Sequence, residues 1–120
     1  MPAKDTYHQT VKRALEADGW RITHDPFSIP IGHRNLFVDL GAEELIAAEL
    51  AGRRIAVEIK SFQGPSEVRN LEEALGQYLL YVPFLRAHEP DRILYMAVPI
   101  GVYLSLFEEP IGREILIPMD

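Results

Sequence analysis

The sequence predicts a mixed α/β fold, with helices packed around one central sheet. Three observations carry this: an amphipathic helical stretch opens the chain, several short strand-like runs follow it, and a long helix then separates them from a further apolar strand. At 120 residues the chain reads as a single domain, 1–120, large enough for one core and too small for two.

In residues 5–17, Tyr7, Val11, Ala14 and Leu15 recur at helical spacing, Lys12 and Arg13 fall on the outer side, and Asp18-Gly19 supplies a stop. Trp20-Arg21-Ile22-Thr23-His24 alternates as a half-buried strand does, until Asp25-Pro26 interrupts it. Residues 27–34 hold Pro30 and Gly32 and read as a loop. A second strand covers 36–40 and ends at Gly41. Two further strand runs, 45–50 and 54–59, are joined by Ala51-Gly52-Arg53, which has the composition of a hairpin turn, so these strands form an antiparallel meander.

Gly64-Pro65 closes the last of them and opens the longest helix, capped by Gly64 or Ser66 and running to about Leu85. Its expected apolar face is Val68, Leu71, Leu75, Leu79 and Val82, and Pro83 should kink or loosen its end. Residues 93–98 form a continuous apolar run suited to a strand buried on both faces. A short helix over 102–107 and a last strand over 115–117 complete the order.

Composition removes several functions. With 48% hydrophobic and 25% charged residues the chain is ordinary globular protein. No apolar stretch reaches the roughly 20 residues of a membrane helix, and Met1-Pro2-Ala3-Lys4-Asp5 lacks a signal-peptide core, so the expected location is the cytoplasm. The absence of cysteine excludes disulfides, thiolate zinc sites and cysteine nucleophiles. His8, His24, His33 and His88 fall at no metal-ligand spacing. A net charge of -6 argues against binding duplex DNA through a broadly basic surface, so a nucleic-acid role needs local basic patches, a metal ion or a partner.

Chemistry is concentrated on Val57-Glu58-Ile59-Lys60-Ser61. Side chains alternate on a strand, so Glu58 and Lys60 share one face while Val57 and Ile59 take the other. With Asp39 upstream, two carboxylates could hold Mg²⁺ through oxygen, and a neighbouring lysine could stabilise charge on a phosphoryl oxygen. Glu58 pairing only with Lys60 or Arg54, as a structural ion pair, is the plain alternative. On the long helix Gln77 and Tyr81 are spaced i, i+4 and lie on one face, where Gln77 could reach the same sheet edge; otherwise Gln77 is solvated and Tyr81 packs its ring in the core.

Asp39, Glu58-Ile59-Lys60 and Gln77-x-x-x-Tyr81 together resemble the PD-(D/E)XK nuclease superfamily, in particular its RecB-like branch. The wider wording resembles the cyanobacterial XisH-like family, in Phe37-Val38-Asp39-Leu40-Gly41-Ala42-Glu43, Val57-Glu58-Ile59-Lys60-Ser61-Phe62, Ala74-Leu75-Gly76-Gln77-Tyr78 and Phe107-Glu108-Glu109-Pro110-Ile111-Gly112-Arg113. The resemblance covers essentially the whole chain. It implies a restriction-endonuclease-like core, a mixed central sheet flanked by helices in the order α-β-β-β-α-β with a short extra helix and strand. It implies the fdxN-element excision controlling factor, acting on DNA in programmed excision beside a site-specific recombinase and a XisI-like partner. Asp39, Glu58 and the main-chain carbonyl of Ile59 are then the implied ligands of Mg²⁺ or Mn²⁺, Lys60 the catalytic lysine, and Gln77 and Tyr81 supporting residues. From the opening helix, where the superfamily often contributes a carboxylate, the candidates are His8, Gln9, Asp5 and Glu16, with His8 the better match to a surface or packing residue.

Register leaves one question open. A tight hairpin at Ala51-Gly52 sets Glu58 opposite Leu45, so Asp39 reaches Glu58 only through a bend, which Gly41 could supply. Otherwise Glu43 or Glu44 is the neighbouring carboxylate. Glu49 is expected to face Arg54 across the turn as a structural pair.

The functional expectation is a nuclease-like excision factor and a metal-dependent DNA endonuclease. The alternative is a catalytically silent interaction protein that binds a recombinase, a XisI-like partner or a second copy of itself, favoured by the acidic balance and by basic residues (Lys4, Lys12, Arg13, Arg53, Arg54) too scattered to form a groove.

Overall fold

A computed structural model describes residues 7–47, 50–62 and 66–108. The opening helix α1 (His8–Ala17) ends where Asp18 N–H returns to the Ala14 carbonyl at 3.1 Å and Gly19 takes φ +93°, a left-handed conformation that suits glycine. Val11 and Leu15 face the sheet and pack on a cluster of Trp20, Leu40, Ala42, Ile55, Val57 and Ile59.

Six strands follow: β1 (Arg21–His24), β2 (Phe27–Ile31), β3 (Arg34–Val38), β4 (Leu40–Ala47), β5 (Leu50–Ile59) and, after the long helix α2 (Glu67–His88), β6 (Arg92–Ala97). The main sheet has the order β1-β4-β5-β6, antiparallel except for the parallel β5–β6 pair that α2 connects. A last helix, α3 (Ile100–Glu108), follows. Without the β2–β3 insertion this is the expected mixed sheet flanked by helices, α-β-β-β-α-β with a short extra helix. The last strand expected over 115–117, Asp5, Glu49 and Gly64-Pro65 lie outside the described residues.

Four expectations need correction. Residues 27–34 are not a loop: β2 and β3 form a separate antiparallel ribbon, pairing Ile31 with Arg34 around Gly32-His33. Gly32, at φ +59°, takes the first turn position, where a two-residue hairpin favours glycine, and Pro30 is tolerated because a two-stranded ribbon has only edges. Ala51-Gly52-Arg53 is not a turn but part of β5. The helix α2 continues past Pro83 to His88, held by packing of Leu85 into the core, and its buried stripe is Leu71, Ala74 and Leu85, while Val68 and Leu79 are exposed. Finally, β6 is the edge of the sheet, so Leu94 is buried while Ile93 and Tyr95 on its other face stay exposed.

The two faces of β5 divide the molecule. Ile55, Val57 and Ile59 point toward α1. Ala56 points toward α2, in a second cluster with Phe27, Ile29, Val38, Leu85 and Leu94, against which Tyr78, Tyr81 and Val82 pack. Arg92 ties this side together. Its buried guanidinium donates to the Ile55 carbonyl at 2.8 Å, pairs with Glu89 at 3.3 Å and Glu43 at 3.7 Å, and lies 4.4 Å from the Phe27 ring centre. A buried charge held from several sides, with its Nε alone left without a hydrogen-bond partner, joins the start of β6 to β5, β4, β2 and the end of α2.

Candidate functional site

The register of β4 on β5 places the site. Leu40 pairs with Val57, Gly41 with Ala56 and Glu43 with Arg54, and further along Ala47 pairs with Leu50. Continuing the pairing by one residue sets Asp39 beside Glu58. No bend at Gly41 is needed. Two irregularities, on either side of the Leu45–Ala51 pair, cancel and preserve the register.

Gly41 has a different task, because a Cβ there would stand 3.0 Å from His24 Cβ, His24 Nδ1 and Phe27 Cδ2. Its missing side chain lets the β1–β2 corner approach β4. Glu43 and Glu44 are not the neighbouring carboxylate either: Glu43 pairs with Arg92 and, at 3.8 Å, with Arg21, and Glu44 is held by Arg53 at 3.1 Å. Arg54 pairs with Glu89 at 3.0 Å.

Asp39 and Glu58 clasp each other through main chain. The Asp39 N–H donates to Glu58 Oε1 at 3.1 Å, and the Ile59 N–H donates to Asp39 Oδ2 at 2.8 Å. Gln77 reaches down from α2 and its amide donates to Glu58 Oε2; Lys60 Nζ stands 3.7 Å from the same oxygen. Tyr81, one turn beyond Gln77, has its hydroxyl beside the Gln77 amide. The five side chains expected from sequence therefore meet at one place, the end of β5 under α2. The helix is aimed there by its N-cap, where Ser66 Oγ accepts from the Arg69 N–H at 3.2 Å, and by Glu67 and Arg86 at ends matching its dipole. Just past Lys60 the chain turns away at Phe62, which adopts φ +56°, a left-handed conformation of order 1–2 kcal/mol above the right-handed one.

Electrostatics make Glu58 unusual. It is only 7% exposed. Burial, then the adjacent Asp39 carboxylate, push its carboxyl up to about 7, while hydrogen bonds from Gln77 and the Asp39 N–H oppose the shift. Burial also raises the Tyr81 hydroxyl above its usual range. Two neighbouring carboxylates, one reluctant to ionise alone, are a donor set that a cation would relieve. Among the described residues no group of three or more His, Asp or Glu is placed to hold a metal ion. A cation here would rest on two carboxylates, a main-chain oxygen and water, which fits Mg²⁺ and Mn²⁺, hard ions that commonly keep several waters.

Of the opening-helix candidates, His8 is buried and turned to Asp25, its Nε2 at 2.8 Å from Asp25 Oδ1, while Lys12 Nζ holds Oδ2 at 2.9 Å. Burial raises the Asp25 carboxyl, but the hydrogen bonds from Lys12 and His8 prevail and leave it below the usual range. Gln9 and Glu16 are exposed. Among the described residues no hydrogen bond or ion pair joins His8, Gln9 or Glu16 to Asp39 or Glu58; His8 is engaged by Asp25 instead. Sequence spacing does not report the meeting of His8 and Lys12 with Asp25 or the pairing of Arg92 with Glu43, because those partners lie far apart in the chain.

The chain matches the family model described as XisH protein over residues 1–119. Two solved structures are similar to it over nearly its whole length. One is an XisH family protein from Nostoc punctiforme, 41% identical, with a TM-score of 0.82, covering 95% of this chain and 84% of that one. The other is a fdxN element excision controlling factor protein from Anabaena variabilis, 42% identical, with a TM-score of 0.84, covering 97% of this chain and 85% of that one. No curated protein matches. No helix among the described residues is long and apolar enough to cross a membrane.

Proposed function

We propose, taking as premise that the chain belongs to the XisH family, that it is an excision controlling factor acting in programmed DNA rearrangement as a metal-dependent DNA endonuclease. The observation that carries this is the clasp of Asp39 and Glu58 with Lys60 and Gln77 on the same carboxylate. Asp39, Glu58 and the Ile59 carbonyl are the proposed ligands of Mg²⁺ or Mn²⁺. Such a cation, when bound, supplies Lewis acidity toward water and the phosphoryl oxygens.

The chain's own residues do the rest. In phosphodiester hydrolysis water adds to phosphorus and one P–O bond breaks, so negative charge gathers on the non-bridging oxygens. The Lys60 ammonium, on the same strand face as Glu58, is placed to offset that charge. Gln77 holds Glu58 in the orientation its ligand role needs, and Tyr81 braces the Gln77 amide. DNA, a XisI-like protein and a site-specific recombinase are the proposed partners. The family membership and the similarity to a protein described as an excision controlling factor support this setting.

Incubating supercoiled plasmid with the purified protein, with Mg²⁺, Mn²⁺ or chelator, tests the proposal. Metal-dependent nicking lost in Glu58→Ala and Lys60→Ala, both still folded, is the expected result. Absence of cutting with either metal, with a XisI-like partner present, defeats the catalytic reading.

A second reading, an interaction protein that works by binding, is favoured by exposed apolar side chains on two neighbouring elements in the chain, Ile93 and Tyr95 on the edge strand β6 and Ile100 and Leu104 on α3. Excision that survives Glu58→Ala, with partner capture intact, would select it.

A further inference from the structure

One side of α2 is spent inside the chain: Leu71, Ala74 and Leu85 are buried, and Tyr78, Tyr81 and Val82 pack on the second core cluster. Among the described residues nothing covers the opposite side. Gly76, Leu79, Leu80, Pro83, Phe84 and Ala87 recur at i, i+3, i+4, i+7, i+8 and i+11, which places them on one face, and all are exposed. Leu79 is 69% exposed and Leu80 52%. A surface helix ordinarily turns charged residues outward, yet residues 74–85 carry none.

Two further observations separate this face from apolar side chains scattered over a surface. The first is Gly76. Glycine inside a helix is destabilising relative to alanine, and a Cβ at Gly76 would meet nothing within 4 Å. Packing within the chain gives no reason for it, whereas close approach of a second backbone does. The second is charge. Glu72 and Glu73 stand at one end of the apolar face and Arg86 at the other, all exposed, and none has an ion-pair partner among the described residues.

We infer that this face is a homodimer interface, in which α2 of one copy packs on α2 of a second, antiparallel about a two-fold axis between Leu79 and Leu80. Leu79 then faces Leu80 of the second copy, Pro83 seats over the bare Gly76, and Glu73 faces Arg86, each contact occurring twice. Arg69, one turn before Glu73, comes near Asp91 of the second copy, whose side chain is 88% exposed. Charge selects both occupant and orientation. A parallel pair sets Glu73 against Glu73 and Arg86 against Arg86, while the antiparallel pair joins opposite charges at both ends. A shallow crossing of about 20° keeps the two faces together along their length. The helix has 22 residues and is about 33 Å long, so the area it buries falls at the low end of specific interfaces and the dissociation constant should be micromolar. Gln77 and Tyr81 are half-buried to the side of this face, so the dimer forms whether or not the site cuts DNA.

Sedimentation velocity of the full chain from about 1 to about 200 µM tests the interface, a range that brackets micromolar dissociation. The wild type should pass from monomer to dimer, and Leu80→Glu should stay monomeric throughout. Glu73→Arg and Arg86→Glu should each weaken the dimer by about five- to ten-fold, because the two-fold axis makes each reversal act twice. The double variant should recover the wild-type affinity, since it restores opposite charges across the axis. Gly76→Leu should weaken the dimer while raising the melting temperature of the dilute monomer, because leucine is the better helix former and meets nothing within the chain. All four positions are exposed, so circular dichroism of the variants should match the wild type.

A wild type that stays monomeric at the top of the range overturns the inference and leaves the face to a different protein. A dimer that Leu80→Glu leaves intact also overturns it, since that dimer would use another surface such as the open edge of β6. So does a double charge reversal that fails to recover affinity.

Discussion

Asp39 and Glu58 each accept a main-chain hydrogen bond from the other's segment of chain, from Ile59 N–H at 2.8 Å and from Asp39 N–H at 3.1 Å, so each carboxylate is tied to the backbone beside its partner. A pair of like charges is thereby fixed at close quarters by the fold itself. Without a cation the arrangement costs stability, and that cost yields the first prediction.

Glu58 titrates near 4.5 in an ordinary environment and near 7 here. The folded state binds its proton more tightly than the unfolded state, so the stabilisation is complete below about pH 4.5 and is lost as pH rises through about 7. Above pH 7 the loss amounts to about 3 kcal/mol. Glu58→Gln keeps the shape without the charge, with the Gln77 amide turning to meet it. Chemical denaturation in chelator should therefore show Glu58→Gln more stable than wild type by about 1–3 kcal/mol at pH 8, with the gap closing toward pH 4.5. A gap independent of pH would contradict the assignment of the strain to this carboxyl.

Gln77 opposes the shift at Glu58, because its amide donates to the ionised carboxylate. Gln77→Leu should raise the Glu58 midpoint further, so half-maximal Mn²⁺ binding at fixed metal should move to higher pH. Lys60→Ala, which removes an ammonium 3.7 Å from Glu58 Oε2, should also raise that midpoint, but it should remove cutting even at a pH where Mn²⁺ is bound. Titrating Mn²⁺ binding and plasmid nicking against pH in both variants separates a positioning role from a catalytic one.

Gly41→Ala places a methyl 3.0 Å from His24 Cβ and the Phe27 ring. Neither backbone can yield without moving the β1–β2 corner, so a loss of about 1–3 kcal/mol is expected from urea unfolding. An unchanged midpoint would mean that the corner does not rest on β4.

Arg92→Ala leaves the Ile55 carbonyl without its donor and removes the guanidinium from the Phe27 ring, while Glu43 keeps Arg21 and Glu89 keeps Arg54. A loss of about 1–3 kcal/mol is expected from the unmet carbonyl. Arg92→Met, which refills the volume, should cost less by the same measurement; equal losses would show that packing carries little of the effect.

The elements that position the site were legible where periodicity was strong. Glu58 and Lys60 share a face because the strand alternates, and Gln77 and Tyr81 share one because the helix turns, and both follow from spacing alone. The register was not legible. Gly52 has turn composition, yet it lies inside β5, because a longer β4 pairs with a longer β5 as far as Ala47 and Leu50. That choice depends on cross-strand packing of Leu40 and Ala42 against Val57 and Ile55, which single-sequence patterns do not report. The ribbon was hidden in the same way: Pro30 and Gly32 carry loop signals, but the burial of Phe27, Ile29 and Val38 against α2 and β5 decides in favour of strands. The burial of Arg92 was not legible either, because Glu43 and the Ile55 carbonyl, which hold it, lie far away in sequence.

The most direct measurement is isothermal titration of Mn²⁺ into the chelator-treated protein at pH 7, beside Asp39→Asn and Glu58→Gln. One ion per chain should bind the wild type, with proton release as Glu58 ionises, and both variants should lose at least ten-fold in affinity while staying folded. Absence of binding by the wild type, or binding that both variants retain unchanged, would contradict a metal site at Asp39 and Glu58.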